Sequence, residues 1–455
     1  MKVINLVPRF TFALLALVCL QVVPASAASK IQRVISPGGI EAWFVQDATV
    51  PLIAMQFAFT GGSSQDPDGK AGTANLVSDT LDEGAGDLDS KAYHERLERR
   101  AIQMNFSVGR DYFRGSLRML KENRDEAFEL LRLALTSPRF DAEPVERVRA
   151  QTLSGLRRES TAPGSIANNR FWAIAYEGHP YSRPPNGTLE SVPKIEASDL
   201  RDYVRRVLAK DNLKIAVVGD VDAQTVGRLL DQTFGALPAK NELTPVAKVD
   251  FAKTPQKFFI PLDVPQTSIL FGGAGIARND PDFMAAYVVN HILGGGSLSS
   301  RLYQEVREKR GLAYSISASL VWMNHSSLFF GSTATRTDKA AEALDTIKAQ
   351  LKRMADEGPT QQELDGAKSY LKGSQMLALD SSAKFAGALL QYQLDNLGID
   401  YIERRNAIID AVTLEDTKRV ARRIWGNGVL SVSVGRAPLA EASSTSSAAV
   451  PPAKN

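Results

Sequence analysis

"LDSKAYHERLERRAIQMNF" (residues 88–106) and "LSSRLYQEVREKRGLAYSI" (residues 298–316) align without a gap. Tyr93 matches Tyr303, Glu95 matches Glu305, Glu98 matches Glu308 and Arg100 matches Arg310. Both stretches read as a charged helix leading into a strand. Three further pairs keep the same order and nearly the same offset. They are "DPD" at 66–68 and 280–282, "DEAFELL" with "DKAAEAL" from Asp125 and Asp338, and "IEASDLRDYVRRVL" with "VTLEDTKRVARRIW" from Ile195 and Val412. Each member of the last pair runs on to a strand ending in Val-Gly, at Gly219 and Gly435. Unrelated amphipathic helices have no reason to keep a common order and offset, so the chain reads as two copies of one unit of about 210 residues.

Each unit has the same order of elements. Alternating apolar runs come first, "LIAMQFAF" at 52–59 and "TSILFGGAG" at 267–275, and read as strands. A helix, a Gly-rich turn and the charged helix follow. Then come two strands close enough for a hairpin, "MNFSVGR" with "YFRGSLRML" and "AYSISASLVW" with "SLFFGSTAT". In "NRDE", Asn123 is placed to cap a helix with Glu126 reaching back, and Ala127, Leu130, Leu131 and Ala134 form its apolar stripe. Strand runs separated by helical pairs predict an α+β fold. It consists of two homologous α/β-sandwich domains, each a mainly antiparallel sheet with helices packed on one face. The expected units are 31–238 and 257–436, joined by a Pro- and Lys-rich linker at 239–256. The tail at 437–455 has low complexity and is expected to be disordered.

Residues 1–27 have the pattern of a cleaved export signal. Lys2 and Arg9 give a basic start, an apolar segment follows, and Ala25-Ser26-Ala27 supplies a small-x-small site. The apolar segment is short for a membrane span. Val18 before Cys19 is a poor lipidation context. The chain has 455 residues and a formal net charge of +3, and removing Lys2 and Arg9 leaves about +1. That balance argues against nucleic acid as a partner. Cys19 is the only cysteine, so the mature chain offers no disulfide and no thiolate. The expected compartment is the periplasm, with no span in the mature chain.

Few residues could carry chemistry. His94, His179, His291 and His325 are the only histidines, and no two lie within a helical turn of each other. No nucleophile elbow, P-loop or dinucleotide fingerprint occurs. "GGGSLSSR" at 294–301 lacks the lysine of a phosphate loop and reads as a turn between helices. In "VREKRGLAYS", Arg307 and Tyr314 are two donors that could serve a substrate carbonyl or a developing oxyanion. Asn75, Ser78 and Asp79 have the spacing of an H-x-x-E-H helix with none of its ligands.

The mature chain resembles the pitrilysin/insulinase superfamily, in its short two-domain branch that includes mitochondrial processing peptidase. Three stretches carry the resemblance. They are "GGSSQDPDGKAGTANL" (61–76), "HPYSRPPNGTLESV" (179–192) followed by "SDLRDYV" and "LKIAVVGDVD", and "GGGSLSSRLYQEVREKRGLAYSISA" (294–318). The resemblance implies a zinc held by the two histidines of H-x-x-E-H and a distal glutamate, with the inner glutamate as general base. Those positions fall here on Asn75, Ser78 and Asp79. Counting seven residues from Glu146 puts the distal one on Leu153. Asn and Ser are poor zinc ligands and Leu is none. The expectation is a chain without metal that is inactive alone. The resemblance also implies an Arg/Tyr pair in the second half that reaches a partner's zinc site, and it falls on Arg307 and Tyr314. The expected role is a non-catalytic subunit of a heterodimeric zinc metallopeptidase for unfolded peptides. The partner would carry H-x-x-E-H and the zinc. The alternative is an inactive homologue acting as a structural or peptide-binding scaffold. An active peptidase with unusual ligands is the least favoured reading.

Overall fold

A computed structural model describes residues 30–436. The export segment expected at 1–27 and the tail expected at 437–455 lie outside the described residues. In the first unit the strands are β1 (Gln32–Ile35), β2 (Glu41–Gln46), β3 (Leu52–Thr60), the two-residue pair β4 (Gly84–Ala85) and β5 (Leu88–Asp89), β6 (Gln103–Val108), β7 (Tyr112–Leu120) and β8 (Leu213–Gly219). Its helices are α1 (Thr73–Ser78), α2 (Ser90–Arg99), α3 (Arg124–Thr136), α4 (Ala142–Glu159), α5 (Pro163–Ala175), α6 (Ala197–Val207) and α7 (Ala223–Phe234). The second unit has β9 (Gln256–Pro261), β10 (Gln266–Ala274), β11 (Ala313–Trp322), β12 (Ser327–Arg336) and β13 (Leu430–Gly435). Its helices are α8 (Phe283–Asn290), the short α9 (Arg301–Tyr303), α10 (Ala340–Glu357), α11 (Gln361–Leu377), α12 (Ser382–Leu394), α13 (Tyr401–Ala411) and α14 (Leu414–Trp425).

The repeat in the sequence is a repeat in the sheets. The first sheet runs β1-β2-β8-β3-β7-β6 and the second, taken from its far edge, β9-β13-β10-β12-β11. β2 pairs parallel with β8, as β9 does with β13, and every other ladder in the two sheets is antiparallel. The two domains are therefore homologous and mainly antiparallel.

The helices differ from the expected single layer. One face of each sheet carries its own unit's helices. Alternate residues Ile53, Met55, Phe57 and Phe59 of β3 face a core shared with Leu130, Leu131 and Leu200. The opposite face carries a helix from the other unit. Ala58, Ala216 and Val218 of the first sheet pack against Ala386, Leu389 and Leu390 of α12. Reciprocally, Phe171 and Trp172 of α5 pack on Leu270, Leu430 and Val432 of the second sheet. With both faces covered, β3 and β8 are apolar at consecutive positions, and β13 is buried along its whole length although Ser431 and Ser433 alternate with its apolar residues. The small side chains on the first sheet's exchange face give α12 a close approach.

Residues 235–255 form neither helix nor strand, yet they are anchored. Val249 N–H donates to His325 O at 2.9 Å, Ala252 N–H to Ala175 O at 3.1 Å, and Phe251 is buried beside Phe171. α3 buries the expected Ala127, Leu130, Leu131 and Ala134, but Asn123 does not cap it. Its amide instead donates to Arg100 O at 2.9 Å, and Glu126 is drawn to Arg96 and Arg100. Two charge-assisted bonds outcompete the capping box for that carboxylate. Among the described residues no helix is long and apolar enough to cross a membrane.

Candidate functional site: the groove beside α1 and an exposed arginine–tyrosine pair

α1 is started by a carboxylate seven residues ahead of its first residue. Asp66 is buried and accepts from Gly72 N and Ala74 N, each at 2.8 Å, which satisfies the first N–H groups of the helix. Gly72 makes the entry turn at a φ of 98°, a conformation that favours glycine. The helix lasts six residues and ends with Asp79 as its C-cap.

The three motif positions sit together and bond to one another. Asn75 Nδ2 donates to Asp79 Oδ2 at 2.9 Å. Ser78 Oγ donates to Asn75 O at 2.8 Å and lies 3.4 Å from Asp79 Oδ1. Burial in the groove raises the Asp79 carboxyl above its usual range, against the pull of Ser78 and Asn75. The groove has a volume of about 370 Å³. α4 faces Asn75 and Asp79 across it with Thr152, Gly155 and Leu156. Leu153 is not in that wall; it packs against the first unit's core. Glu83 also lines the groove. Burial pushes it up, but hydrogen bonds from Ser90 and Arg147, each 2.5 Å, outweigh this and hold its carboxyl below the usual range.

These residues do not fit zinc. The motif positions offer one amide, one hydroxyl and one carboxylate; of the other carboxylates on the groove, Glu83 is taken up by Ser90 and Arg147, and α4 adds Glu159 but no histidine. Among the described residues no group of three or more His, Cys, Asp or Glu could hold a metal ion. His94 lies 3.7 Å from Glu83 at the edge of the groove, and two other histidines serve other ends. His179 Nδ1 accepts from Tyr181 N at 3.1 Å, and His291 stacks on Tyr370 with centroids 4.9 Å apart.

The second-half pair is built by irregular backbone. α9 runs into a π-turn at Gln304–Glu308, which carries Arg307. The chain turns at Gly311 with φ of 58° and enters β11. The register of β11 against β12 shifts between Ala313 and Ile316. An extra residue at a strand's start breaks the alternation of sides, so Tyr314 and Ser315 both face outwards. Tyr314 is 82% exposed. The Arg307 guanidinium lies 4.7 Å from the Tyr314 ring centroid and 4.9 Å from that of Tyr303, and it donates to Tyr303 Oη. Arg307 and Tyr314 are thus adjacent, and neither lines the groove beside α1. The Gly-rich turn before them is packed: a Cβ on Gly294 would meet Ala318 at 2.7 Å.

Two repeated, mainly antiparallel sheets with helices packed on them give a two-domain α+β architecture in which no described group of residues could hold a metal. Known proteins agree. The profile described as "Insulinase (Peptidase family M16)" matches residues 44–188, and that described as "Peptidase M16 inactive domain" matches residues 194–371. The chain belongs to the M16 insulinase family. It is similar to the crystal structure of a peptidase M16 inactive domain from Pseudomonas fluorescens, with a TM-score of 0.85, 29% identity, and coverage of 90% of this chain and 98% of that one. It is 26% identical to the "non-peptidase homolog YmxG" of Helicobacter pylori over 77% of this chain and 81% of the relative. It is also 26% identical to an "uncharacterized zinc protease" of Streptomyces coelicolor, over 87% of each.

Three features of the site were not read from the sequence. One is the Tyr314 bulge, another the α4 residues that face α1, and the third the exchange of α5 and α12 between sheets. The last had a signal: "FWAIA" and "FAGALL" are apolar on more than one side.

Proposed function

We propose that this chain is the non-catalytic subunit of a periplasmic, heterodimeric zinc peptidase acting on unfolded peptides. Its partner is a homologous chain with an intact H-x-x-E-H helix, which brings the metal and the general base. This chain contributes Arg307 and Tyr314 as donors to the carbonyl oxygen of the bound peptide as negative charge develops on it. The observation that carries the reading is the asymmetry between the two halves. Asn75, Ser78 and Asp79 are closed on one another, while Tyr314 Oη has no hydrogen-bond partner among the described residues and stands in solvent above a guanidinium.

A second reading has an observation of its own. Arg307 is held between two tyrosine rings and bonded to Tyr303, which a purely structural cation would also be. In that case the chain is a scaffold or peptide-binding module and the pair does no chemistry. Affinity purification of the chain from its periplasmic fraction separates the two. Recovery of an H-x-x-E-H homologue in equal amount supports the heterodimer; recovery of the chain alone contradicts it.

A further inference from the structure

The larger of two cavities among the described residues is not beside α1. It is a cleft of about 1070 Å³ at the seam of the two units. The β6–β7 turn forms one wall and the β11–β12 turn the other, with the exchanged helices α5 and α12 and the anchored linker completing it. A concave space of this size between domains is where small ligands bind in many proteins.

Its charges are unevenly satisfied. Asp111 is buried and accepts from Tyr181 Oη at 2.5 Å and Asn324 N at 2.9 Å. Asp395 accepts from Trp322 Nε1 at 3.0 Å and Gln391 Nε2 at 2.9 Å, and it pairs with Arg278 at 3.5 Å. Those two carboxylates are engaged, and the linker adds one charge of each sign to the lining, Lys248 and Asp250. Arg110 and Arg114 have no carboxylate within ion-pair distance among the described residues. Arg110 donates Nε to Tyr181 O at 3.0 Å and stacks 3.6 Å over Trp172, and Arg114 donates to Gln391 Oε1 at 2.9 Å. Each guanidinium therefore keeps N–H groups that no carboxylate of the chain takes up. Burial pulls Arg110 down to about 10 and lowers Arg114 as well, and the charges of Asp111 and Asp395, which are not in ion-pair contact with them, offset this only in part. Both remain charged at neutral pH.

A desolvated cation with no counter-ion is costly, and a bound anion offsets the cost. A guanidinium fork matches the two oxygens of a carboxylate. The walls beside the two arginines are aromatic, with Tyr112, Trp172, Phe251 and Trp322. We infer that the seam cleft is a binding site for a carboxylate carried on an aromatic or apolar body, held by Arg110 and Arg114. Two sources share that chemistry, a free aromatic acid and the C-terminus of a short apolar peptide. The inference does not depend on a peptidase partner, because the cleft is complete within one chain.

Calorimetric titration of the purified chain tests it with four probes: 2-naphthoate, its neutral carboxamide, Gly-Gly-Phe and Gly-Gly-Phe-amide. One carboxylate per chain is expected to bind, with its neutral counterpart at least about tenfold weaker. Arg110→Gln and Arg114→Gln are each expected to weaken it by about tenfold or more, and Arg114→Lys by less, because it keeps charge and loses the fork. Thermal melting of each variant checks that it is folded. Binding of naphthoate alone identifies a free acid as the source, and binding of Gly-Gly-Phe identifies a peptide terminus. No binding of either acid, equal binding of acids and amides, or unchanged affinity in all folded variants overturns the site.

Discussion

The Phe57 ring lies over Gly115, its cross-strand partner, and leaves no room for a Cβ there. Phe271 lies over Gly331 in the same way, in the same register of the second sheet. An aromatic ring covering a strand glycine supplies packing that the missing side chain does not. The relationship occurs in both units, on the central β3–β7 and β10–β12 ladders, and the second ladder repeats it with Phe329 against Gly273. Gly115→Ala forces a fully buried ring out of its rotamer. It is expected to cost about 1–3 kcal/mol or more, read as a fall in the urea midpoint at constant slope. A midpoint unchanged from wild type would contradict this packing.

Asp66 makes stability depend on pH in an unusual direction. Burial raises its carboxyl to about 7, against the N–H groups of Ala74 and Gly72 and the charges of Arg183 and Arg206; its ordinary value is 3.8. Between those values the folded chain holds the proton more tightly than the unfolded chain. Its contribution is therefore fully present below about pH 4 and is lost as pH rises through 7. The slope from this one group reaches at most about 1.4 kcal/mol per pH unit. The unfolding free energy of wild type minus that of Asp66→Asn is expected to fall between pH 4.5 and 7. A difference that is flat or rises over that window would show that Asp66 is ionised in the folded state, through the two helix N–H bonds.

The exchanged helices tie the units into one folding unit. Leu389 is fully buried between α12 and the first sheet, although it belongs to the second unit in sequence. Leu389→Ala is expected to cost about 2–5 kcal/mol and to lower a single thermal transition for the whole chain. Two separate transitions, with only one shifted, would contradict the exchange.

Much of this was legible in the sequence, for physical reasons. The repeat survived because helix amphipathicity and strand alternation constrain many positions at once, and four matched stretches in one order fixed two homologous domains. Asn75, Ser78 and Asp79 share a helical face because of their spacing, and they do meet. The facing wall was harder to read. Which α4 residue points at α1 depends on the rotation of one helix against another, and a count of seven from Glu146 led to Leu153 on the core side. The outward turn of Tyr314 depends on one extra residue in a ladder, and local pattern does not show this. The exchange of α5 and α12 is a choice between two chemically similar sheet faces, which only the whole fold decides.

That geometry gives a test by reconstruction. The purified chain is expected to hold no stoichiometric zinc. Combining Asn75→His, Ser78→Glu and Asp79→His with Leu156→Glu is expected to create a zinc site, because Leu156 lines the same groove. The same triple change with Leu153→Glu is expected to fail. Metal analysis after dialysis reads both. Zinc in the wild type, or equal zinc in both quadruple variants, would contradict the assignment of the wall.

Arg307 and Tyr314 are proposed to act on a partner's substrate. The most direct measurement is kcat/KM for cleavage of an unfolded peptide by the H-x-x-E-H homologue mixed with this chain, as wild type, Arg307→Ala or Tyr314→Phe. Loss of one donor to a developing oxyanion costs about 2.7–4 kcal/mol, or about 100- to 1000-fold. Zinc-dependent activity is expected only in the mixture, with a drop of about that size for each variant while the complex still forms. Full activity of the homologue alone, or of its complex with the Arg307→Ala/Tyr314→Phe chain, would contradict it.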